Sequence, residues 1–344
     1  MDHFTPRVLW LAVKEAGIRR DNFFMRMYFN EVYTFTTEKV DLDMVPNKTK
    51  IAAFCSPMIG AAVDRANGYK TSSFKPAYVK SKHAVNPNMT IKRLPGEKYA
   101  ELKTPAMRQN ALVMQNIEME EIAIRDREEL MCADMVLRGK TLADGPNVEV
   151  PIEIDAGRRP ANNIILSGAA KWDQQDKETY DPVADIEGWA EQADGLVDHI
   201  VLDKKAWAKL NSFKKFKEKL ETRRGSSSTL ETALKDLGKT VSIKGTLGDV
   251  TLIVLDEEYI DRDGVTKKVM PDNTLILGHT SARGVRLYGA IQDLNAQNEG
   301  VAESDRYYRD WMEGNDPAVR YTKAESAPAM YMIDVNKFVV VKVA

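Results

Sequence analysis

Two tripeptides, Gly139-Lys140-Thr141 and Gly238-Lys239-Thr240, carry the residue types that grip a nucleotide phosphate. That chemistry needs a glycine five residues upstream, so that backbone amides curl round the anion, and a helix that follows the loop. Asp134 and Ala233 stand where the glycine belongs, and each tripeptide ends a helical pattern. Both therefore read as C-caps. Asp261-Arg262-Asp263-Gly264 has the start of a calcium loop without its later glutamate, and a hairpin turn accounts for it. Gly278-His279-Thr280-Ser281 lacks the Gly-x-Ser-x-Gly of a nucleophile turn. His3, His83, His199 and His279 are scattered, with no His-x-x-x-His and no Cys–His pairing. Cys55 and Cys132 are too few for a disulfide framework and suit a reducing cytoplasm. No catalytic, cofactor-binding or metal-binding residue is assigned, no cofactor is expected, and the chain does not read as an enzyme.

Binding to nucleic acid has two candidates. Lys204 to Arg224 holds nine bases against Glu218 and Glu221, and Lys70 to Lys98 holds seven against Glu97. Phe213 and Phe216 interleave with the first run at helical spacing, which places them on the buried side of a helix. Weak phosphate contact is the most that either run supports. Asp173 to Asp198 carries nine acids and one base, Lys177. Solvated faces explain the acid and base runs, but copies packed in a ring, acidic edge to basic edge, would use them too.

The element that must position these runs is a long helix from Thr104 to Arg138. Thr104 can cap it, Pro105 suits the first turn and Gly139 can close it. No glycine or proline interrupts Ala106 to Arg138, so the helix spans about 50 Å at ~1.5 Å per residue. Its apolar residues keep to no single stripe, and its middle, Glu118 to Glu129, is densely charged. Apolar ends bedded in the chain's own sheet and a charged middle facing solvent or a neighbour fit that pattern.

Before it, Pro6 to Ala16 reads as a helix and Phe23 to Phe35 as an aromatic-rich segment, docked either on its own domain or on a partner. Strands are expected at Ile51 to Phe54 and Met89 to Leu94. Lys70 to Lys98 lacks a face apolar enough for a core, so it is a loop or an arm resting on something else. After the helix, strands are expected at Val148 to Asp155, Ile164 to Leu166, Asp249 to Leu255, Asn273 to Leu277, Ala318 to Val335 and Phe338 to Val343. Helices are expected from Asp181-Pro182 and at Leu230 to Leu237. The order is α+β, without βαβα alternation.

With 344 residues, 49 basic against 51 acidic, the chain can bury a large core and has no global charge field. No segment reads as a signal peptide or a membrane span.

Several runs together resemble the major capsid proteins of lambda-like tailed bacteriophages. They include Phe35 to Val40, Val85-Asn86-Pro87 continuing through Met89 to Pro95, Asp176-Lys177 with Thr179 to Pro182, and KEKLETRRG from Lys217. PDNTLIL from Pro271, Ala282-Arg283-Gly284, Ile291-Gln292-Asp293 and Ser326-Ala327-Pro328 complete the set. The resemblance implies a Hong Kong 97 type capsid fold: an N-terminal arm over 1–34, an extended E-loop with flanking strands over 35–100, and a peripheral domain with the spine helix over 101–180. An axial domain over 181–317, a peripheral return strand over 318–336 and a final axial strand over 337–344 follow. It further implies a subunit of hexamers and pentamers in an icosahedral phage head around double-stranded DNA, assembled in the host cytoplasm. The partners implied are other copies, a scaffolding protein, a portal, a small decoration protein and, weakly and non-specifically, the packaged DNA; no membrane is involved. The alternatives are a host nanocompartment shell of the same fold and an unrecognised enzyme.

Overall fold

A computed structural model of the chain describes residues 4–16, 22–44, 70–95, 97, 103–145, 148, 150–220, 240–314 and 316–344. The expected strand at Ile51 to Phe54 and helix at Leu230 to Leu237 lie outside these residues, as do Cys55 and the Gly238-Lys239 pair.

Helix α1 (Pro6–Ala16) buries Leu9 and Val13 and leaves Val8, Trp10 and Leu11 exposed. Helix α2 (Phe23–Tyr28) buries Phe23, Phe24, Met25 and Tyr28. Strand β1 (Glu31–Thr34) follows, then an antiparallel ribbon of β2 (Val40–Met44) and β3 (Lys70–Phe74), with Val40 opposite Phe74. Strand β4 (Val79–Val85) leads into α3 (Pro87–Ile91).

Helix α3 overturns the strand expected at Met89 to Leu94. Pro87 sits at the first helical position after extended Asn86, and the Met89 amide donates back to the Asn86 carbonyl. A proline at that position pre-sets the helical φ and loses no bond, which outweighs the apolar alternation. The arm expected over Lys70 to Lys98 is also divided. β3 belongs to the ribbon, whereas β4 is paired with a strand of the body and packs against the long helix.

That helix, α4 (Pro105–Arg138), has 34 residues. The Thr104 side chain accepts from the Met107 amide, and Gly139 closes the other end at φ +74°. The Arg158 guanidinium donates to the carbonyls of Val136 and Leu137, which have no amide beyond the helix end to pair with, and also to that of Met135, which already accepts the Gly139 amide. Burial pulls Arg158 down to about 10. A Cβ on Gly139 would stand 2.5 Å from the Cβ of Arg158, so this position needs glycine twice over. A hairpin of β5 (Lys140–Ala143) and β6 (Ile152–Asp155) follows.

The largest sheet has the order β7-β18-β13-β8-β10-β9, from β7 (Asn163–Ile165), β8 (His199–Asp203), β9 (Val241–Leu247), β10 (Val250–Leu255), β13 (Thr274–Gly278) and β18 (Val339–Lys342). Its inner strands β8, β10, β13 and β18 are largely buried on both faces. Ile200, Leu202, Leu275 and Leu277 pack with Trp172, Trp189, Phe213 and Phe216 beneath α5 (Pro182–Ala190), α6 (Lys204–Leu210) and α7 (Lys214–Lys219). Val201, Ile253, Ile276 and Val340 point to the opposite layer, which holds α2 and the C-terminal half of α4. This two-sided burial explains the near-continuous apolar runs of these strands. A small hairpin of β11 (Glu258–Ile260) and β12 (Thr266–Lys268) leaves that sheet.

From β14 (Gly284–Tyr288) the chain returns to α4. β14 lies between β1, in parallel, and β17 (Pro328–Met332), antiparallel. After α8 (Leu294–Asn298), β15 (Tyr307–Glu313) pairs with β16 (Val319–Ser326), which pairs with β4. The stretch 181–317 contributes strands to the six-stranded sheet up to β13 and to the sheets beside α4 from β14 onward. β7, at 163–165, pairs with β18 in the six-stranded sheet. Such strand pairing across long separations is not encoded in local sequence.

Candidate functional site

Helix α4 carries four carboxylates that are nearly or wholly buried: Glu120, Glu121, Glu128 and Glu129. Together they fasten several elements. Glu120 accepts from Thr322 Oγ1 of β16 at 2.8 Å and from His83 Nδ1 of β4 at 3.0 Å. Burial raises the Glu120 carboxyl despite these bonds. Glu121 accepts from Arg306 Nε at 3.1 Å, the Tyr308 hydroxyl at 2.7 Å and Arg125 Nε at 2.5 Å. Its burial works against the charged form, but Arg306 and Arg125 prevail and lower it. Glu128 takes two bonds from the Arg306 guanidinium, 2.8 and 2.6 Å long. Glu129 accepts from the amides of Phe24 at 2.6 Å and Met25 at 2.9 Å, while Glu257 takes the Phe23 amide at 3.2 Å. Two carboxylates, one on α4 and one after β10, thus satisfy three free amides at the start of α2 and hold the N-terminal segment in place. Burial, and then the charge of Glu257, push Glu129 well above the usual carboxylate range.

The expectation that the charged middle of α4 faces solvent or a neighbour fails for these four residues, whereas Glu118 and Arg127 are exposed. The four point inward because cations, hydroxyls or free amides reach them from elements far along the chain, and a buried carboxylate is tolerated only with such partners. The smeared apolar stripe has the same cause: different elements wrap the helix on different sides.

The acidic and basic runs also meet partners within the chain. Lys209 pairs with Asp173 at 2.5 Å, Lys219 with Asp181 at 2.9 Å, Lys214 with Glu178 at 3.3 Å and Lys205 with Asp272 at 2.5 Å; Lys204 pairs with Asp256. Three of these pairs, to Asp173, Glu178 and Asp181, join the two runs within one chain. Such exposed pairs add little to stability, because solvent and salt screen them.

The motif-like tripeptide at Gly139 is structural, as are the two other motif-like turns. Gly139 is the C-cap of α4, Lys140 reaches Glu153 at 3.3 Å, and Thr141 donates to the Met131 carbonyl. Asp261 to Gly264 turn the hairpin between β11 and β12. His279 Nδ1 accepts from the Ser281 amide in the turn after β13.

One constellation lay beyond sequence reasoning. Asp198, on His199 Nδ1, fixes the tautomer, and His199 Nε2 accepts from the Tyr28 hydroxyl at 2.5 Å. Thr280 donates to Asp198 from both its amide and its hydroxyl. Burial would raise Asp198, but these bonds hold it down at about 2. Tyr28 and His199 are 171 positions apart, and no local signal links them. Both side chains are buried, so the relay ties α2 to the six-stranded sheet rather than meeting a substrate. Among the described residues, no group of three or more His, Cys, Asp or Glu is placed to hold a metal ion, and no helix is long and apolar enough to cross a membrane.

Comparison with known proteins agrees with this architecture. The chain is 48% identical over 334 residues to the major capsid protein of Escherichia phage lambda, covering 97% of each chain. It is 43% identical over 343 residues to that of Enterobacteria phage P21, covering all of both. The crystal structure of a prophage capsid protein from E. coli CFT073 superposes with a TM-score of 0.82 at 36% identity, covering both chains completely. The pattern of the phage major capsid protein E family matches residues 7–343, and the chain belongs to that family.

Proposed function

We propose that this capsid subunit is a tile of the Hong Kong 97 type, whose copies form the hexamers and pentamers of an icosahedral head enclosing double-stranded DNA. In this reading α4 is the spine of a peripheral domain that also takes β4 and β14–β17. The six-stranded sheet with α5–α7 is the axial domain, β2–β3 the base of the E-loop, and 1–34 the N-terminal arm. A scaffolding protein, a portal and a small decoration protein are its expected partners. It works without a catalytic residue, metal or cofactor.

The observation that carries this is surface left uncovered by the chain itself. Among the described residues no third strand joins the β2–β3 ribbon, and an isolated two-stranded ribbon is marginal in water. All four residues of β1 are exposed, Val32 and Tyr33 among them. With the exposed side of α1, these are surfaces that a neighbouring copy would cover. Electron microscopy of the expressed protein tests it: hollow shells or ordered capsomers are expected, and a persistent monomer in the presence of a scaffold would count against it.

A further inference from the structure

The outward face of the three-stranded sheet β15-β16-β4 carries a row of like charges. Lys82 stands opposite Lys323, and Lys323 opposite Arg309, so three cations lie side by side straight across the strands. At a strand spacing of ~4.8 Å the row spans about 10 Å. Like charges directly opposite one another weaken a sheet. A fold keeps such a row only with compensation, and here it is partial. Lys323 is neutralised by Asp293 at 2.9 Å and Glu325 at 3.1 Å. Lys80, in the row above, shares Glu325. Lys82 has only Glu313, at 4.0 Å, and Arg309 has no carboxylate within ion-pair distance among the described residues.

What holds the two outer cations is the next row, where Trp311 stacks on Tyr321 with ring centres 5.7 Å apart. The Lys82 ammonium lies 3.9 Å from the Tyr321 ring centre and 5.0 Å from that of Trp311, and the Arg309 guanidinium 5.3 Å from Trp311. Ring faces fix these cations in place without cancelling their charge. In α6–α7, by contrast, five of the seven lysines, Lys204, Lys205, Lys209, Lys214 and Lys219, meet a carboxylate.

We infer that the Lys82–Lys323–Arg309 row, with Lys82 and Arg309 as its least neutralised members, is a contact site for the phosphate backbone of duplex DNA. The inference deepens the proposed role of the subunit as a tile around DNA. It rests on that reading only for the presence of the polyanion. The site has no means of reading bases; it offers two positioned charges to a regular array of phosphates, and many copies in a shell would multiply a weak contact.

The test is a salt series of duplex DNA binding to the full-length soluble subunit, followed by fluorescence anisotropy. Wild type is compared with Lys82→Ala/Arg309→Ala, with the charge-keeping Lys82→Arg/Arg309→Lys, and with Lys204→Ala/Lys209→Ala. The alanine pair at the row should reduce the slope of log K against log salt by about 0.9 for each cation removed, about 1.8 in all. The other two variants should keep the wild-type slope, and shell formation should survive in all. Acetylation of Lys82 in the wild-type protein, whose side chain is 47% exposed, should fall when DNA is added, a readout independent of any variant's folding. Parallel slopes for wild type and the alanine pair, or no binding by wild type, would overturn the site and leave the capsid reading intact. So would lost shell formation with unchanged DNA binding, which would make the face a protein interface.

Discussion

The guanidinium of Arg306 grips both carboxylate oxygens of Glu128, at 2.8 and 2.6 Å, across 178 residues of chain. The same guanidinium reaches Glu121 and donates to Ser326 Oγ at 3.1 Å. This one side chain therefore joins the spine to β15 and β16. Removing it leaves the buried Glu128 without its counter-charge and Glu121 with Arg125 alone. Arg306→Met should cost about 3–5 kcal/mol, read from urea unfolding of the soluble subunit. Adding Glu128→Gln should recover part of the loss; a single variant as stable as wild type would show the pair to be idle.

The spine itself has no natural break, and Ile117 is buried near its middle. Ile117→Pro removes a helix bond and clashes with the preceding turn, a cost of about 3 kcal/mol or more. Particle yield measured by electron microscopy should fall to background. Wild-type yields would mean that the spine tolerates a kink.

At the end of the spine, Gly139 holds φ +74° against Arg158. Gly139→Ala should cost at least about 1–2 kcal/mol from the left-handed backbone alone, with the contact to Arg158 added to it. The check is the urea midpoint, compared with Gly157→Ala. Gly157 has a similar φ, +73°, and open space around it, so the difference between the two isolates the contact.

Glu129 gives a pH dependence. Its carboxyl is raised in the folded subunit by burial and by Glu257, above an unfolded value of about 4.3. The folded state therefore binds the proton more tightly. This group's contribution to stability is fully present below pH ~4.3 and is lost as pH rises through the folded value. Glu129→Gln should flatten that part of the stability–pH curve. It should also weaken the hold on α2, because a single amide oxygen must serve the amides of both Phe24 and Met25. An unchanged curve in the variant would remove Glu129 from the account.

The arm can be tested by two deletions with opposite outcomes. Replacing residues 41–73 by a short Gly-Ser linker removes the ribbon and should leave a soluble, folded subunit that forms no shells. Deleting 79–98 removes β4, whose ladder with β16 covers α4, and Glu97, whose carboxylate holds Arg108 at 2.9 Å. That protein should not fold. Gel filtration and electron microscopy separate the cases, and shells from the first variant would reduce the ribbon to an ordinary loop.

The signals legible in the sequence were local ones. Thr104, Pro105 and Gly139 bound α4 because caps act within one turn of the backbone they satisfy. Asp181 and Pro182 start α5 for the same reason. The phosphate-loop mimic at Gly139 could be dismissed on spacing alone. Matching runs along nearly the whole chain carried the family. The tertiary structure decided the direction of the charges. Glu120, Glu121, Glu128 and Glu129 look like a solvated face until His83, Arg306, Thr322 and the amides of α2 are brought to them, and the lysines of α6–α7 look free until Asp173, Asp181 and Asp272 arrive. Whether a charge is buried or solvated depends on a partner that can lie more than a hundred residues away, and electrostatic pairing, unlike capping or periodicity, leaves no mark in the neighbouring sequence.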